Sequence, residues 1–194
     1  MYEALMSFFQ RDTYAFDGYI PGQNRETSPR RSVRLDGSPT LETAMATFES
    51  TYTKTFTLPV DLDAAKKHFA DLATVIANSN DVETATVDGD VVHFVMKAQE
   101  HVGIGTFQSD YHSKYTLSGN VLTWAPVGEG NTRQSGTATF VANGESTEVA
   151  YSETLSVDMS VPKLMAPMLK PLIGAILSHE MKEYTARMIK SIEP

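Results

Sequence analysis

The sequence predicts an α+β domain, in which a seven-stranded antiparallel sheet is followed by one long helix that closes the chain. Three observations carry this. From Phe48 to Val161, apolar and polar residues alternate at the two-residue period of strands. Asp88-Gly89, Ser118-Gly119 and Asn143-Gly144 divide that region as hairpin turns do. After Pro162 the period becomes helical: Leu169, Ile173, Ile176, Leu177, Met181, Tyr184 and Met188 form an apolar stripe beside Lys170, Lys182, Glu183, Arg187 and Lys190. A helix apolar along one stripe needs a surface to cover, and the strands supply it.

The chain opens with an aromatic arm, residues 1–20, carrying Tyr2, Phe8, Phe9, Tyr14, Phe16 and Tyr19. Tyr2, Leu5, Met6 and Phe9 share one face of a short helix. Such an arm either packs on its own domain or serves a homodimer, a protein partner or a membrane surface. Pro21 to Thr40 has no apolar period and reads as a linker. Its Arg25, Arg30, Arg31 and Arg34 are either solvated beside Glu26 and Asp36 or a grip for phosphate or carboxylate groups. The predicted division is arm and linker over residues 1–45 and a folded domain over 46–194.

Within the domain, Phe48, Tyr52, Lys54, Phe56 and Leu58 form the inward set of a first strand whose other face is threonine. Pro59 stops it. Asp61 or Asp63 caps a helix running to about Ala77, in one piece or two. Six strands follow: 82–87, 91–98, 106–117, 121–126, 132–141 and 147–161. Gly103 and Gly105 mark a bulge or bend.

Composition excludes several function classes. A net charge of −8 disfavours nucleic acid and anionic lipid as bulk electrostatic partners. The absence of cysteine removes disulfides, thiolate nucleophiles and Cys-based zinc sites. The most apolar run, Leu172 to Leu177, is too short for a transmembrane segment, and the N-terminus lacks the pattern of a secretory signal. A soluble cytoplasmic protein is the expectation. His68, His93, His101, His112 and His179 form no pair at the usual ligand spacings, so neither a metal site nor a cofactor is expected.

Particular segments carry a family resemblance. Thr55-Phe56-Thr57-Leu58-Pro59-Val60-Asp61 resembles a first strand running into its helix, His68-Phe69-Ala70-Asp71-Leu72 the aromatic–x–Asp end of that helix, and Val82 to Asp90 the strand and Asp-Gly hairpin that follow. Together, over roughly residues 48–192, they resemble the SRPBCC superfamily, also called START-like or helix-grip. The polyketide cyclase-like proteins and those resembling the G-type subunit of carbon monoxide dehydrogenase are the most similar subfamilies. Phe69 stands where many members carry Trp. The resemblance implies that the sheet curls around the last helix and leaves a cavity for an apolar or amphipathic small molecule. It also implies that the first and last strands are neighbours.

Strand parity then nominates residues. On the last strand Val149, Tyr151, Glu153, Leu155, Val157 and Met159 face one way, and Glu153 is the misfit because a carboxylate on an apolar face must be paired or neutralised. Lys54 is the misfit of the first strand, and the implied neighbourhood could place it beside Glu153; the two are then an ion pair within the sheet, a ligand-orienting pair or an acid/base pair, or else the charge is simply exposed at a strand end. Elsewhere Phe94, Met96, Phe107, Ser109, Tyr111, Ser113, Tyr115, Leu117, Trp124 and Phe140 are available, with the odd face of 107–117 inward. The expected ligand-binding set is Tyr52, Phe94, Phe107, Tyr111, Tyr115, Tyr151 and Glu153 from the strands, with Leu169, Ile173, Ile176, Leu177 and Met181 from the helix. Flexible methionines, Met165, Met168, Met181 and Met188, suit either a filled core or an adaptable pocket.

Three functions follow. The leading one is a binding or carrier protein for a hydrophobic or amphipathic small molecule, a lipid included. The second is a cyclase-like or hydrolase-like enzyme with Glu153 and Lys54 as catalytic candidates. The third is an assembly or interaction factor acting through the N-terminal aromatic arm and the arginine linker.

Overall fold

The computed structural model describes residues 42–101 and 105–192. The arm, the arginine linker and Gly103 lie outside them. The elements in chain order are β1 (Thr43–Leu58), α1 (Leu62–Ala70), α2 (Leu72–Asn78), β2 (Val82–Asp88), β3 (Val91–Met96), β4 (Gln99–His101), β5 (Gly105–Phe107), β6 (Asp110–Ser118), β7 (Val121–Pro126), β8 (Thr132–Asn143), β9 (Ser146–Pro162) and α3 (Ala166–Lys190). Seven strands form one antiparallel sheet in the order β1-β9-β8-β7-β6-β3-β2. This is the α+β arrangement expected, with the long helix last.

The hairpins explain most of the order, since each strand from β7 to β9 turns back on its predecessor. One long-range pairing closes the design. β1 returns to β9 along its whole length, from Thr43 opposite Pro162 to Leu58 opposite Thr147. β1 begins at Thr43, ahead of the legible alternation, because Thr43 to Thr47 carries only small or exposed side chains. The expected strand over 106–117 is broken. Its first part, β5, leaves the sheet and pairs with β4 as a separate hairpin, while β6 starts at Asp110. Leu117, expected inward, is 43% exposed at the far end of β6.

Two short helices bridge the start of the sheet. Asp61 caps α1 by accepting from the Ala64 amide at 2.8 Å, and Asp71 caps α2 by accepting from the Thr74 amide at 3.0 Å. Each satisfies an amide that the first helical turn leaves without a partner. α1 is pinned to the end of α3, where His68 Nε2 lies 3.0 Å from the Met188 carbonyl oxygen. Arg187 Nε donates to the Asn78 carbonyl at the end of α2.

α3 buries Leu169, Ile173, Leu177, Met181, Thr185 and Met188, a ridge at four-residue and then three-residue steps. The ridge serves two cores. Leu169, Ile173 and Leu177 pack with Phe48, Val157, Met159 and Val161, where β1 and β9 meet. Met188 joins Leu58, Phe69, Phe94, Tyr111, Tyr115, Trp124, Phe140 and Tyr151 beneath α1 and α2. Met168, counted among the adaptable methionines, is instead 75% exposed.

One glycine sets how closely the second core closes. Gly136 of β8 lies opposite Trp124 of β7. A Cβ there would stand 2.3 Å from Trp124 Cζ2 and 2.4 Å from the Ser152 carbonyl oxygen. The indole therefore lies over bare backbone. Gly136→Ala should cost about 1–3 kcal/mol, as overpacking does, and shift the emission of Trp124, the sole tryptophan. Thermal unfolding and the emission maximum check it; an unchanged pair of values contradicts the close approach.

Candidate functional site

The inner face of β6 to β9 collects polar groups that an inert core would not hold. β6 contributes Tyr111, Ser113 and Tyr115, β7 Trp124, β8 Gln134, and β9 Tyr151 and Glu153, while α3 brings Tyr184 and Thr185. Alternation puts each of the strand residues inward, because residues two apart share a face. Glu153 is 1% exposed. Its carboxylate accepts from Tyr151 Oη at 2.7 Å and from Gln134 Nε2. Trp124 Nε1–H is buried without a hydrogen-bond partner among the described residues.

These groups surround a cavity of about 10 Å³ lined by Phe69, Tyr115, Leu122, Trp124, Gln134, Tyr151 and Tyr184. That is room for about one water molecule. Trp124 and Tyr151 stack in tilted fashion, 5.3 Å between ring centroids, and Tyr115 stacks on the other side of Trp124 at 6.4 Å. The aromatic walls are thus held against one another as well as against the sheet.

Burial governs the electrostatics. Glu153 is held above the ordinary glutamate range, first by desolvation, with the hydrogen bonds from Tyr151 and Gln134 opposing. Tyr111, Tyr115, Tyr151 and Tyr184 are all pushed up from the usual phenol value, again first by desolvation, with the Glu153 charge adding to it. Burial therefore shifts Glu153 and these tyrosines alike toward their protonated forms.

The nominated residues divide. Tyr115 and Tyr151 line the cavity, and Glu153 bonds to Tyr151 and Gln134 beside it. Tyr111 and Phe94 stack at 5.1 Å in the same core without lining it. Tyr52 stands edge-on to Tyr151 at 6.4 Å. Leu169, Ile173 and Leu177 belong to the other core, with Phe107 packed against it. Ile176 is half-buried and Met181 buried. The helix side chain at the cavity is Tyr184.

The Lys54–Glu153 pairing is overturned. β1 and β9 are indeed neighbours, but the register sets Tyr52 opposite Glu153 and Lys54 opposite Tyr151. Lys54 is exposed, with its ammonium 5.8 Å from the Phe56 ring centroid. The long stem reaches water readily, whereas the short Glu153 carboxylate at mid-strand has no such path. Gln134 takes the role assigned to Lys54. A glutamine amid polar strand residues gives no signal until the register places it, and Trp124 and Gly136 become linked only through the β7–β8 pairing.

Two expectations follow. The folded protein keeps a proton on Glu153 that the unfolded chain releases from 4.5 upward, so wild-type stability should fall as pH rises from there through the folded value, by about 1.4 kcal/mol per pH unit. Glu153→Gln removes that dependence, and melting temperatures of the two proteins from acid to neutral pH should diverge; parallel curves count against a raised carboxyl. Lys54→Ala should change stability by no more than about 0.5 kcal/mol, the range of ordinary surface substitutions. A large loss in chemical denaturation would restore a buried role for Lys54.

No family model matches the sequence, and no curated protein matches it by sequence. Solved structures do match. The Zhui aromatase/cyclase of Streptomyces sp. R1128 superposes with a TM-score of 0.56 at 11% identity, over 74% of this chain and 93% of the other. TTHA0849 of Thermus thermophilus gives 0.55 at 16%, over 74% and 96%. A norcoclaurine synthase point mutant of Thalictrum flavum, solved with a transition-state analogue, gives 0.50 at 14%, over 76% and 96%. At these identities the likeness is one of fold alone, an antiparallel sheet closed by a long C-terminal helix, the helix-grip arrangement.

Proposed function

We propose that this protein binds a small amphipathic molecule, an aromatic ring bearing a hydrogen-bonding group, between β6–β9 and α3. The observation that supports this most directly is the unpartnered Trp124 N–H at a cavity beside a buried carboxyl group. A core selected only for packing would use apolar residues there, because each buried polar group left unsatisfied costs about 1–3 kcal/mol. Trp124 and the hydroxyls of Tyr115 and Tyr184 offer donors to a ligand oxygen, and the stacked rings offer faces to a ligand ring. The solved structures of this fold include one named as an aromatase/cyclase, a name that denotes handling of aromatic compounds.

The existing cavity takes about one water, so a larger guest enters only where Tyr184 or its helix gives way. This favours a compact ligand over a long acyl chain, narrowing the carrier reading of the sequence. Native mass spectrometry of the purified protein should reveal a co-purifying small molecule. An aromatic ligand such as a naphthol should quench or shift Trp124 emission saturably, and Tyr184→Trp should abolish its binding by calorimetry while the fold persists by circular dichroism. No bound species together with unsaturable quenching contradicts the proposal.

A second reading has its own support. Glu153 with its raised pKa, 2.7 Å from the Tyr151 hydroxyl, has the make-up of an acid/base pair. Glu153→Gln separates the two readings: a binder keeps affinity within a few fold, whereas an enzyme keeps binding and loses turnover.

A further inference from the structure

The opposite face of the sheet carries a cluster that the cavity does not use. His93 of β3 and His112 of β6 are directly paired across the strands, and both point away from α3, since their neighbours Val92, Phe94, Tyr111 and Ser113 are buried inward. Asp110 lies two residues before His112 and shares its face. One ligand atom from each of His93, Asp110 and His112 falls within 4.8 Å of the others. The two imidazoles are stacked 4.0 Å apart and 5° from parallel, and His93 Nε2 is 2.8 Å from Asp110 Oδ1.

We propose that His93, Asp110 and His112 form a binding site for a divalent transition-metal ion of the zinc class. Two imidazole nitrogens and one carboxylate oxygen are the borderline donors that such ions take, and three protein ligands leave one tetrahedral position for water. Ligand atoms around zinc stand about 3.3 Å apart, from metal–ligand distances of about 2.0–2.1 Å. The cluster thus closes by about 1.5 Å at most, with the two stacked imidazoles each turning out of parallel so that an in-plane lone pair meets the ion. Zinc takes the place of the proton between His93 Nε2 and Asp110; the neutral His93 ring then carries its proton on Nδ1, and Nε2 and the Asp110 oxygen turn to the metal.

The surroundings are built to hold this geometry. His112 Nδ1 lies 3.3 Å from the Glu129 carbonyl oxygen, so it carries the proton there and leaves Nε2 as the free donor. The loop 127–131 that supplies this carbonyl is fastened to β6 on both sides of the site. Val127 N donates to the His112 carbonyl at 3.1 Å, and Asn131 N donates to the Asp110 carbonyl at 3.1 Å. Asn131 Oδ1 accepts from the Asp110 amide at 3.0 Å. Gly130 permits the approach, since a Cβ there would be 2.3 Å from the Asp110 carbonyl oxygen. His93 and Asp110 are 34% and 53% exposed, so an ion reaches them from solvent.

The test uses the full chain without a histidine tag, titrated with Zn²⁺ by calorimetry and with Co²⁺ by visible absorption. One ion per chain is expected, with the intense d–d bands of four-coordinate cobalt. His93→Ala and His112→Ala should each weaken binding tenfold or more, and Asp110→Asn by less. Imidazole NMR signals of the wild-type protein provide a measurement that needs no variant: His93 and His112 should shift or broaden at one equivalent of Zn²⁺ ahead of His68, His101 and His179. Absence of binding at millimolar metal, binding that survives loss of both histidines, or first perturbation of the other three overturns the proposal.

Discussion

The structure depends on the register of β9. This strand is hydrogen-bonded on one side to β1 and on the other to β8, each along nearly its whole length. Its inner face carries Thr147, Val149, Tyr151, Glu153, Val157, Met159 and Val161, all buried. A slip of one residue would turn this entire set to solvent. Glu153 is therefore held inside by the apolar residues that flank it, and the protein must satisfy its carboxyl group where it stands. Tyr151 and Gln134 do so from the same and the adjacent strand.

That accommodation organises what surrounds it. Gln134 reaches Glu153 from β8, two residues before Gly136, whose missing side chain lets Trp124 lie against the sheet. Trp124 in turn stacks between Tyr115 and Tyr151, and the space left among them and Tyr184 is the cavity. The opposite end of α3 works differently. Leu169, Ile173 and Leu177 meet Phe48, Val157, Met159 and Val161 in a wholly apolar contact that fixes the helix to the sheet. One helix thus has an anchoring half and a half that faces polar chemistry.

Much of this was legible in the sequence. Alternation, turn dipeptides and the helical stripe marked the elements, and Glu153 announced itself as a charge on an apolar face. What stayed hidden depends on pairing between distant segments. Lys54 and Glu153 were expected side by side, but register sets Lys54 opposite Tyr151, and its ammonium escapes to solvent. Gln134 and Gly136 look like ordinary residues of a polar strand. His93 and His112 are far apart in the chain and meet only because β3 and β6 pair directly, bypassing the β4–β5 hairpin. The one local clue there was Asp110-x-His112, a spacing that in a strand puts both side chains on one face.

The central claim is that Glu153 sits as a buried carboxyl group, held above the ordinary glutamate range by desolvation, beside a polar cavity in the protein interior. Carbon-detected NMR of side-chain carboxyl groups, followed through a pH titration, measures this at one atom. The account predicts that the Glu153 signal titrates above the ordinary value of 4.5, with Tyr151 and Gln134 signals moving in step. A Glu153 midpoint at or below the ordinary value, with no response from those two partners, would contradict it.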